Sequence, residues 1–142
     1  MQAADRTTHA QDIGPALFHT LQAEDASALI DFCTEVLGFV LTARYDDHGR
    51  VAHAELRWPE GPGGVMLGSH DPGREYTQTP GTAGAYLVTA DADALYEHVT
   101  AHGAEVVIPL RDTDHGSREF TVRDPEGNQW SFGTYAGAPL EE

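Results

Sequence analysis

The sequence predicts an α+β fold in which two βαβββ modules in tandem form a cupped mixed sheet with helices on its outer face. The main observation is an internal repeat with a spacing of 66 residues, since residues 25–29 (DASAL) match residues 91–95 (DADAL). Residues 57–61 match residues 123–127 at the same spacing. A stretch rich in glycine and proline separates the two copies, which is typical of a linker.

The first copy begins with a strand-like run at residues 16–22. Asp25 is a suitable N-cap for the helix that follows, and its apolar residues recur at helical spacing until Gly38 ends it. Three more strand-like runs, divided by Gly, Pro and Asp turns, follow at residues 39–44, 51–57 and 65–68. The order of elements in this copy is β-α-β-β-β.

The second copy has the same order of elements. A strand-like run at residues 85–89 precedes a helix over residues 91–102, which Gly103 ends. The later strand-like runs lie at residues 105–110, 119–123 and 129–134. Each module is expected to bury one sheet face under its helix and to leave the other face for a shared concavity, the cup.

The chain is expected to form one domain over residues 15–135. Its predicted parts are a polar leader (1–14), a first module (15–70), a linker (71–81), a second module (82–135) and a tail (136–142).

The chain is strongly acidic. Its 142 residues include 8 arginines, no lysine and 23 acidic residues, which gives a formal net charge of −15. Phosphate backbones and anionic membrane surfaces repel such a chain, so nucleic-acid and membrane partners are excluded, whereas cationic small molecules or metal ions are favoured. The single cysteine, Cys33, offers no internal disulfide, and the polar start lacks a signal-peptide pattern, so we expect a cytoplasmic location.

Two segments carry a family resemblance: residues 31–39 (DFCTEVLGF) in the first helix, and residues 124–128 (DPEGN) before the last strand. Together with the repeat, they resemble the vicinal oxygen chelate superfamily, which includes glyoxalase I, extradiol dioxygenases and bleomycin-resistance proteins. Cys33 departs from the family pattern, in which an aromatic residue commonly follows the phenylalanine. The resemblance implies the paired-module fold and a homodimer.

Enzymes of this family hold a metal in the cup, with His or Glu ligands from the first and last strands of each module. The resemblance places these positions at Phe18, Val65, Gly84 and Ser131. Phenylalanine, valine and glycine cannot ligate and neutral serine is a poor ligand for divalent metals, so neither the usual metal site nor a cofactor is predicted. Strand alternation puts the adjacent His19 on the helix side as a structural histidine, with a rescued metal ligand as the alternative.

Alternation in the third strand of each module predicts which side chains face the cup. One apolar set, predicted to lie under the helices, consists of Ala52, Ala54 and Leu56 in the first module and of Phe120 and Val122 in the second. The opposite sets, predicted to face the cup, are Val51, His53, Glu55 and Arg57, and Glu119, Thr121 and Arg123.

The predicted ligand-binding residues combine these polar groups with apolar walls, as is typical of small-molecule sites. They are Phe18, His53, Glu55, Arg57, Val65, Tyr86, Glu119, Arg123 and Ser131, with Val88 as a further part of the wall. His53 and Glu55 lie two residues apart on one strand face, close enough to share a proton or a metal. Glu119 lies in a GSREF stretch that resembles one common in metal-poor members of the family.

Two functions from different classes follow from these observations. The first is a protein of the bleomycin-resistance type, a homodimer that sequesters a small molecule in the cup without metal. The second is a metal-dependent lyase, isomerase or dioxygenase with displaced ligands such as His53, Glu55 and Glu119, in which the divalent metal acts as a Lewis acid. The missing metal positions and the acidic charge favour the binding protein, and a cationic ligand for it.

Overall fold

The computed structural model describes residues 14–141, which form the predicted α+β fold of two βαβββ modules. The first module contains β1 (Leu17–Ala23), α1 (Ala26–Asp31), β2 (Val40–Asp47), β3 (Arg50–Arg57) and β4 (Gly63–Ser69). The second contains β5 (Gly84–Val88), α2 (Ala92–Ala101), β6 (Glu105–Asp112), β7 (Arg118–Arg123) and β8 (Gln129–Gly133). Nearly all of the predicted leader, residues 1–13, and the last residue of the tail lie outside the described residues.

Each module forms its own four-stranded mixed sheet. Sheet 1 has the strand order β1-β4-β3-β2, and sheet 2 has the equivalent order β5-β8-β7-β6. The first and last strands of each module pair in parallel, while the remaining pairs are antiparallel. The first two strands of a module therefore run parallel at opposite edges of its sheet, and the helical segment makes the crossover between them.

The predicted helix caps are confirmed. The carboxylate of Asp25 accepts a hydrogen bond from the Ala28 amide at 3.1 Å, and Asp91 does the same for Ala94 at 3.0 Å. The first helical segment ends at Gly38, whose φ of +92° is a left-handed conformation that favours glycine.

The first helical segment is not α-helical throughout, because α1 passes into a π-helix over Phe32–Leu37. The Thr34 hydroxyl donates to the Ile30 carbonyl at 3.0 Å, which competes with the regular backbone ladder at this point. The amide of Phe39 then bonds to the Cys33 carbonyl at 2.9 Å. The sequence pattern predicts the helix but not this wider turn.

The alternation predicted for β3 holds from His53 onward and fails before it. Ala54 and Leu56 are fully buried as expected, but Val51 is only 4% exposed and Ala52 is exposed, which reverses the prediction for these two residues. The physical reason is a register shift in the pairing of β2 with β3, between Tyr45 and Asp46. Such an irregularity turns the next side chain to the other face of the sheet.

The helix-covered faces of both sheets, called the inner faces from here on, contribute to one hydrophobic core together with both helical segments. The opposite faces, called the outer faces, are those predicted from the sequence to face the cup. The aromatic contacts across the module boundary are close: the rings of Trp58 and Phe132 are 5.5 Å apart, and those of Phe39 and Trp130 are 5.7 Å apart. The two modules therefore pack through a common interior although their sheets are separate.

Two glutamates in equivalent turns connect the modules reciprocally. Glu126, in the turn before β8, accepts hydrogen bonds from the amides of Glu24 and Asp25 at 2.9 and 3.0 Å, at the start of the first helical segment. Glu60, in the turn before β4, accepts from the Ala90 amide at 2.8 Å and from the Thr89 hydroxyl at 2.9 Å, just before α2. Each module thus supplies a carboxylate near the helix N-terminus of the other, where negative charge is favoured.

Among the described residues, no helix has both the length and the apolar character that a bilayer crossing needs.

Candidate functional site

A cleft of about 510 Å³ lies between the edge strand β1 of sheet 1 and the edge strand β5 of sheet 2. Leu17 and Phe18 line one side, and Tyr86 and Val88 line the other. The lining is mostly apolar, and its volume is within the range of small-molecule sites.

The floor of the cleft is aromatic. Trp58, Trp130 and Phe39 all line it, and the ring centroids of Phe39 and Trp58 are 5.1 Å apart. The indole of Trp58 donates to the carbonyl of Val88 at 2.9 Å, so a side chain of the first module is fixed to the last residue of β5. The floor thus depends on both modules.

The closing turn of the second module holds Trp130 in place. The buried Asp124 accepts hydrogen bonds from three backbone amides of the turn, those of Glu126, Gly127 and Asn128. Its second carboxylate oxygen accepts from the Trp130 indole at 2.8 Å. The motif that carries the family resemblance therefore orients a tryptophan of the cleft floor.

His19 lies on the inner side of β1, as the strand alternation predicts, and lines the cleft. Its imidazole meets the Trp130 ring edge to face, with 5.8 Å between centroids. Burial lowers the pKa of His19 below its ordinary value of 6.5, because the charged form loses solvation. The interpretation of His19 as a structural histidine agrees with this packing.

The prediction that the Val65 side chain faces the cup is wrong. Val65 is only 1% exposed and pairs with His19 and Leu56, so its side chain points into the core and meets the cleft from the inner side. The cause is a turn one residue longer in the first module: six residues separate Arg57 from its partner Gly64, but five separate Arg123 from Gln129. The residue equivalent to Ser131 is therefore Met66, the partner of Thr20.

Three of the predicted polar residues share the outer face of sheet 1. His53 and Glu55 are joined by a hydrogen bond of 2.9 Å between Nε2 and Oε2, as their spacing suggests. Tyr45 stacks on the His53 imidazole with 6.3 Å between ring centroids, and Arg57 follows farther along β3, opposite Gly64. This face offers a hydrogen-bonding pair beside an exposed aromatic ring.

The other predicted polar residues lie on the outer face of sheet 2, each with a partner. Glu119 is 3.7 Å from the His115 imidazole, and Arg123 forms an ion pair with Glu105 at 2.5 Å. The hydroxyl of Ser131 is 2.7 Å from that of Thr121, as the register places them opposite each other.

The predicted site residues are therefore distributed over three places rather than one. Phe18, Val65 and Tyr86 line the inter-module cleft, while the two polar groups occupy the outer faces of separate sheets. The sequence interpretation missed Trp58 and Glu60 as cleft residues. The signal for them was present, because Trp58 replaces, within the repeated turn, the aspartate found in the second copy.

The residues at the family's metal positions do not fit a divalent metal. Phe18, Gly84 and Ser131 provide at best one neutral hydroxyl, and Met66, which takes the place assigned to Val65, provides only a soft thioether. Among residues 14–141, no three His, Cys, Asp or Glu side chains are grouped as a metal ion would require. His53 and Glu55 are a pair, and Glu119 lies on the other sheet.

Cys33 is fully buried in the core of the first module. Burial, and then the nearby Asp124 carboxylate, raise the pKa of its thiol far above the ordinary value. A thiol in this state has no nucleophilic thiolate at neutral pH, so Cys33 is a packing residue.

A family model described as the Glyoxalase/Bleomycin resistance protein/Dioxygenase superfamily matches residues 13–132. The match spans both modules and the cleft between them. The chain belongs to this superfamily, as its helix and closing-turn motifs indicate.

Three similar proteins illustrate the relationship. An uncharacterized protein of Mycobacterium tuberculosis (strain CDC 1551 / Oshkosh) is 34% identical over 134 residues, covering 89% of this chain and 78% of that protein. The crystal structure of TioX from Micromonospora sp. ML1 has 31% identity and a TM-score of 0.71, covering 84% of this chain and 98% of that chain. TnmS3, an antibiotic binding protein from Streptomyces sp. CB03234, has 23% identity and a TM-score of 0.68 over 83% of this chain and 92% of that chain, a likeness of fold alone.

Proposed function

We propose that this protein is a small-molecule-binding member of the superfamily, of the bleomycin-resistance type, which sequesters its ligand without metal. The observation that carries the proposal is the cleft of about 510 Å³ with an aromatic floor and mostly apolar walls from both modules. Such a lining binds an apolar or aromatic ring system by burial and stacking. Few polar groups line the cleft, chiefly Glu60 and His19, and they would fix the orientation of the ligand.

The ligand is proposed to be cationic. The formal net charge of −15 attracts cations to the whole surface. Glu60 is the one acidic side chain among the described residues that line this cleft, whereas His19, which also lines it, stays neutral at pH 7 because burial lowers its pKa below 6.5. A positively charged aromatic molecule therefore suits both the apolar, aromatic walls of the cleft and the negative electrostatic potential of the protein.

Fluorescence titration with ethidium, a planar aromatic cation, tests this function. The chain has two tryptophans, Trp58 and Trp130, and both line the cleft, so a ligand there must change their emission. We expect a saturable change with one site per chain, and much weaker binding of the anionic dye fluorescein. A linear, unsaturated response to ethidium would contradict the proposal, and equal binding of both dyes would contradict the cationic preference.

We propose further that the protein acts as a homodimer in the cytoplasm, with clefts lined by both modules. β2 pairs on one side only, and an unpaired edge beside apolar side chains is a surface that another chain covers. Val40, 52% exposed, and Leu41, 40% exposed, lie on this edge strand and do not line the cleft. The buried, reduced Cys33 suits a reducing compartment.

Sedimentation equilibrium measures the oligomeric state directly. We expect a species of twice the chain mass of 15.3 kDa, and a concentration-independent monomer would contradict the dimer. The exposed edge provides a variant: Val40→Asp is expected to shift the equilibrium toward monomer, because it places a charge on the proposed contact surface.

A further inference from the structure

The linker between the modules does not simply span the gap between them. Residues 71–79, here called the strap, fold back against the outer face of sheet 1. The hydroxyl of Tyr76 is 2.7 Å from that of Thr20 on β1, and Gln78 donates to the Tyr76 hydroxyl at 3.3 Å. These contacts are polar and exposed, so they hold the strap only weakly.

Gln22 is the centre of the attachment. Its amide nitrogen donates to the Tyr76 carbonyl at 3.3 Å, and its amide oxygen accepts from the Thr77 hydroxyl at 3.1 Å. The same oxygen is 2.9 Å from Nδ1 of His70, directly before the strap. The Gln22 side chain on β1 thus bonds to two residues of the strap, Tyr76 and Thr77, and to His70 directly before it.

Both ends of the strap are fixed more firmly than its middle. At the entrance, the His70 amide bonds to the Ala23 carbonyl at 2.8 Å, and the Arg50 guanidinium donates to the His70 carbonyl. Just after the exit, Ala83 is bonded to the second module: its amide donates to the Asn128 side-chain oxygen at 3.0 Å, and its carbonyl accepts from the Gln129 amide at 3.0 Å. Fixed ends and a weakly bonded middle are the properties of a segment that opens locally.

A second cleft, of about 180 Å³, lies between the strap and the sheet. Met66 lines its floor, and His53 from β3 and Arg74 and Gln78 from the strap line its sides. These walls offer thioether, imidazole, guanidinium and amide groups, which suit a compact polar group that both donates and accepts hydrogen bonds.

The second module has a comparable contact. Tyr86 occupies the position that Thr20 occupies in the first module, and its hydroxyl donates to the Tyr135 carbonyl at 2.9 Å. Tyr135 follows β8, just as the strap follows β4. On both outer faces, therefore, the segment after the last strand bonds to the same position of the first strand.

We propose that the strap is a hinged cover of a polar subsite on the outer face of sheet 1, which admits a compact hydrogen-bonding group of a ligand when Gln22 and Thr20 release Tyr76. This inference rests on the proposed small-molecule function and adds a gated second subsite to it. The tethering itself is a property of the free protein, so it can be tested without any ligand.

Two rates measured on the ligand-free protein test the cover. Trypsin cleaves after arginine, and Arg74 lies in the strap, so cleavage there reports strap opening. Oxidation of Met66 by hydrogen peroxide reports solvent access to the floor of the second cleft, beneath the strap. The oxidised residue is identified by peptide mass spectrometry. Gln22→Ala removes the central tether and is expected to raise both rates about fivefold, the change that loss of about 1 kcal/mol of hydrogen bonding gives.

The matched control is Gln129→Ala, which removes a glutamine from the exposed position at the start of β8 and is expected to leave both rates unchanged. Tyr76→Phe removes the hydroxyl bonded to Thr20 and is expected to raise both rates by a smaller factor. This variant tests the tethering if Gln22→Ala fails to fold. Cleavage at wild-type rate in both variants would overturn the tethering. Faster cleavage with unchanged Met66 oxidation would overturn the covering of the subsite, while ethidium binding at the other cleft would still stand.

Discussion

His19 shows how one side chain connects strand alternation, burial and the pH dependence of stability. Its pKa lies below 6.5 in the folded chain because of burial, whereas the unfolded chain keeps the ordinary value. The unfolded state therefore binds more protons as the pH falls below about 6.5, and the free energy of unfolding decreases down to the folded pKa. Above that range the contribution of His19 is fully present.

His19→Phe tests this contribution. Phenylalanine keeps an aromatic ring against Trp130 but cannot titrate, so we expect a smaller loss of stability between pH 6.5 and pH 5 than in wild type. The measurement is denaturant unfolding at several pH values. His48→Asn is the control for loss of an exposed imidazole, and its asparagine suits the φ of +52° at that position. An unchanged pH dependence in His19→Phe would contradict the assigned role.

Single residues were predictable where local periodicity decides their direction. The facing of His19, Leu56 and Phe120 follows from alternation within one strand. Val65 and Val51 were not predictable, because their direction depends on a longer turn and on a shift in strand pairing. Both irregularities arise from the pairing of two segments, and a one-residue slip reverses every following side chain.

At the scale of elements, the reciprocal glutamates join the start of each helical segment to the opposite module. Glu126→Ala removes two carboxylate–amide hydrogen bonds, to Glu24 and Asp25, and leaves the amides at that helix start without their acceptor. We expect a loss of about 1–2 kcal/mol in the free energy of unfolding, in the range of lost helix caps. Chemical denaturation measures it.

Glu97→Ala is the matched control, since Glu97 lies exposed on α2, and its effect is expected to stay within about 0.5 kcal/mol. Glu60→Ala, the counterpart in the other turn, should resemble Glu126→Ala. If Glu126→Ala were as stable as Glu97→Ala, the modules would not depend on this connection.

The elements themselves were largely predictable because their ends carry local chemistry. Asp25 and Asp91 cap their helices, and Gly38 and Gly103 end them with left-handed backbone conformations. The π-helix after α1 was not predictable, because apolar spacing does not distinguish an α-helical turn from the wider π-helical turn.

At the scale of the whole molecule, the repeat predicts two like modules but not how they meet. The modules share a core built from Trp58, Phe39 and Trp130, residues with no aromatic counterpart at the repeat spacing. Contacts between distant segments decide this arrangement, and periodicity within each segment carries no information on it. The predicted cup residues consequently lie on two separate sheets. The inter-module cleft is lined by strand residues of both modules and also by turn residues such as Trp58 and Glu60, to which no role was assigned from the sequence.

The affinity of ethidium for a cleft-filling variant tests the central claim most directly. Gly84 lines the cleft, and a Cβ built there would have one neighbour, the Gln129 carbonyl oxygen at 3.8 Å, so Gly84→Leu fills space without strain. Ala101→Leu adds the same bulk at the exposed end of α2. Isothermal titration is expected to give at least about tenfold weaker binding for Gly84→Leu, from about 1.4 kcal/mol of lost contact, and wild-type affinity for Ala101→Leu. Wild-type affinity in Gly84→Leu would contradict the assignment of this cleft as the ligand site.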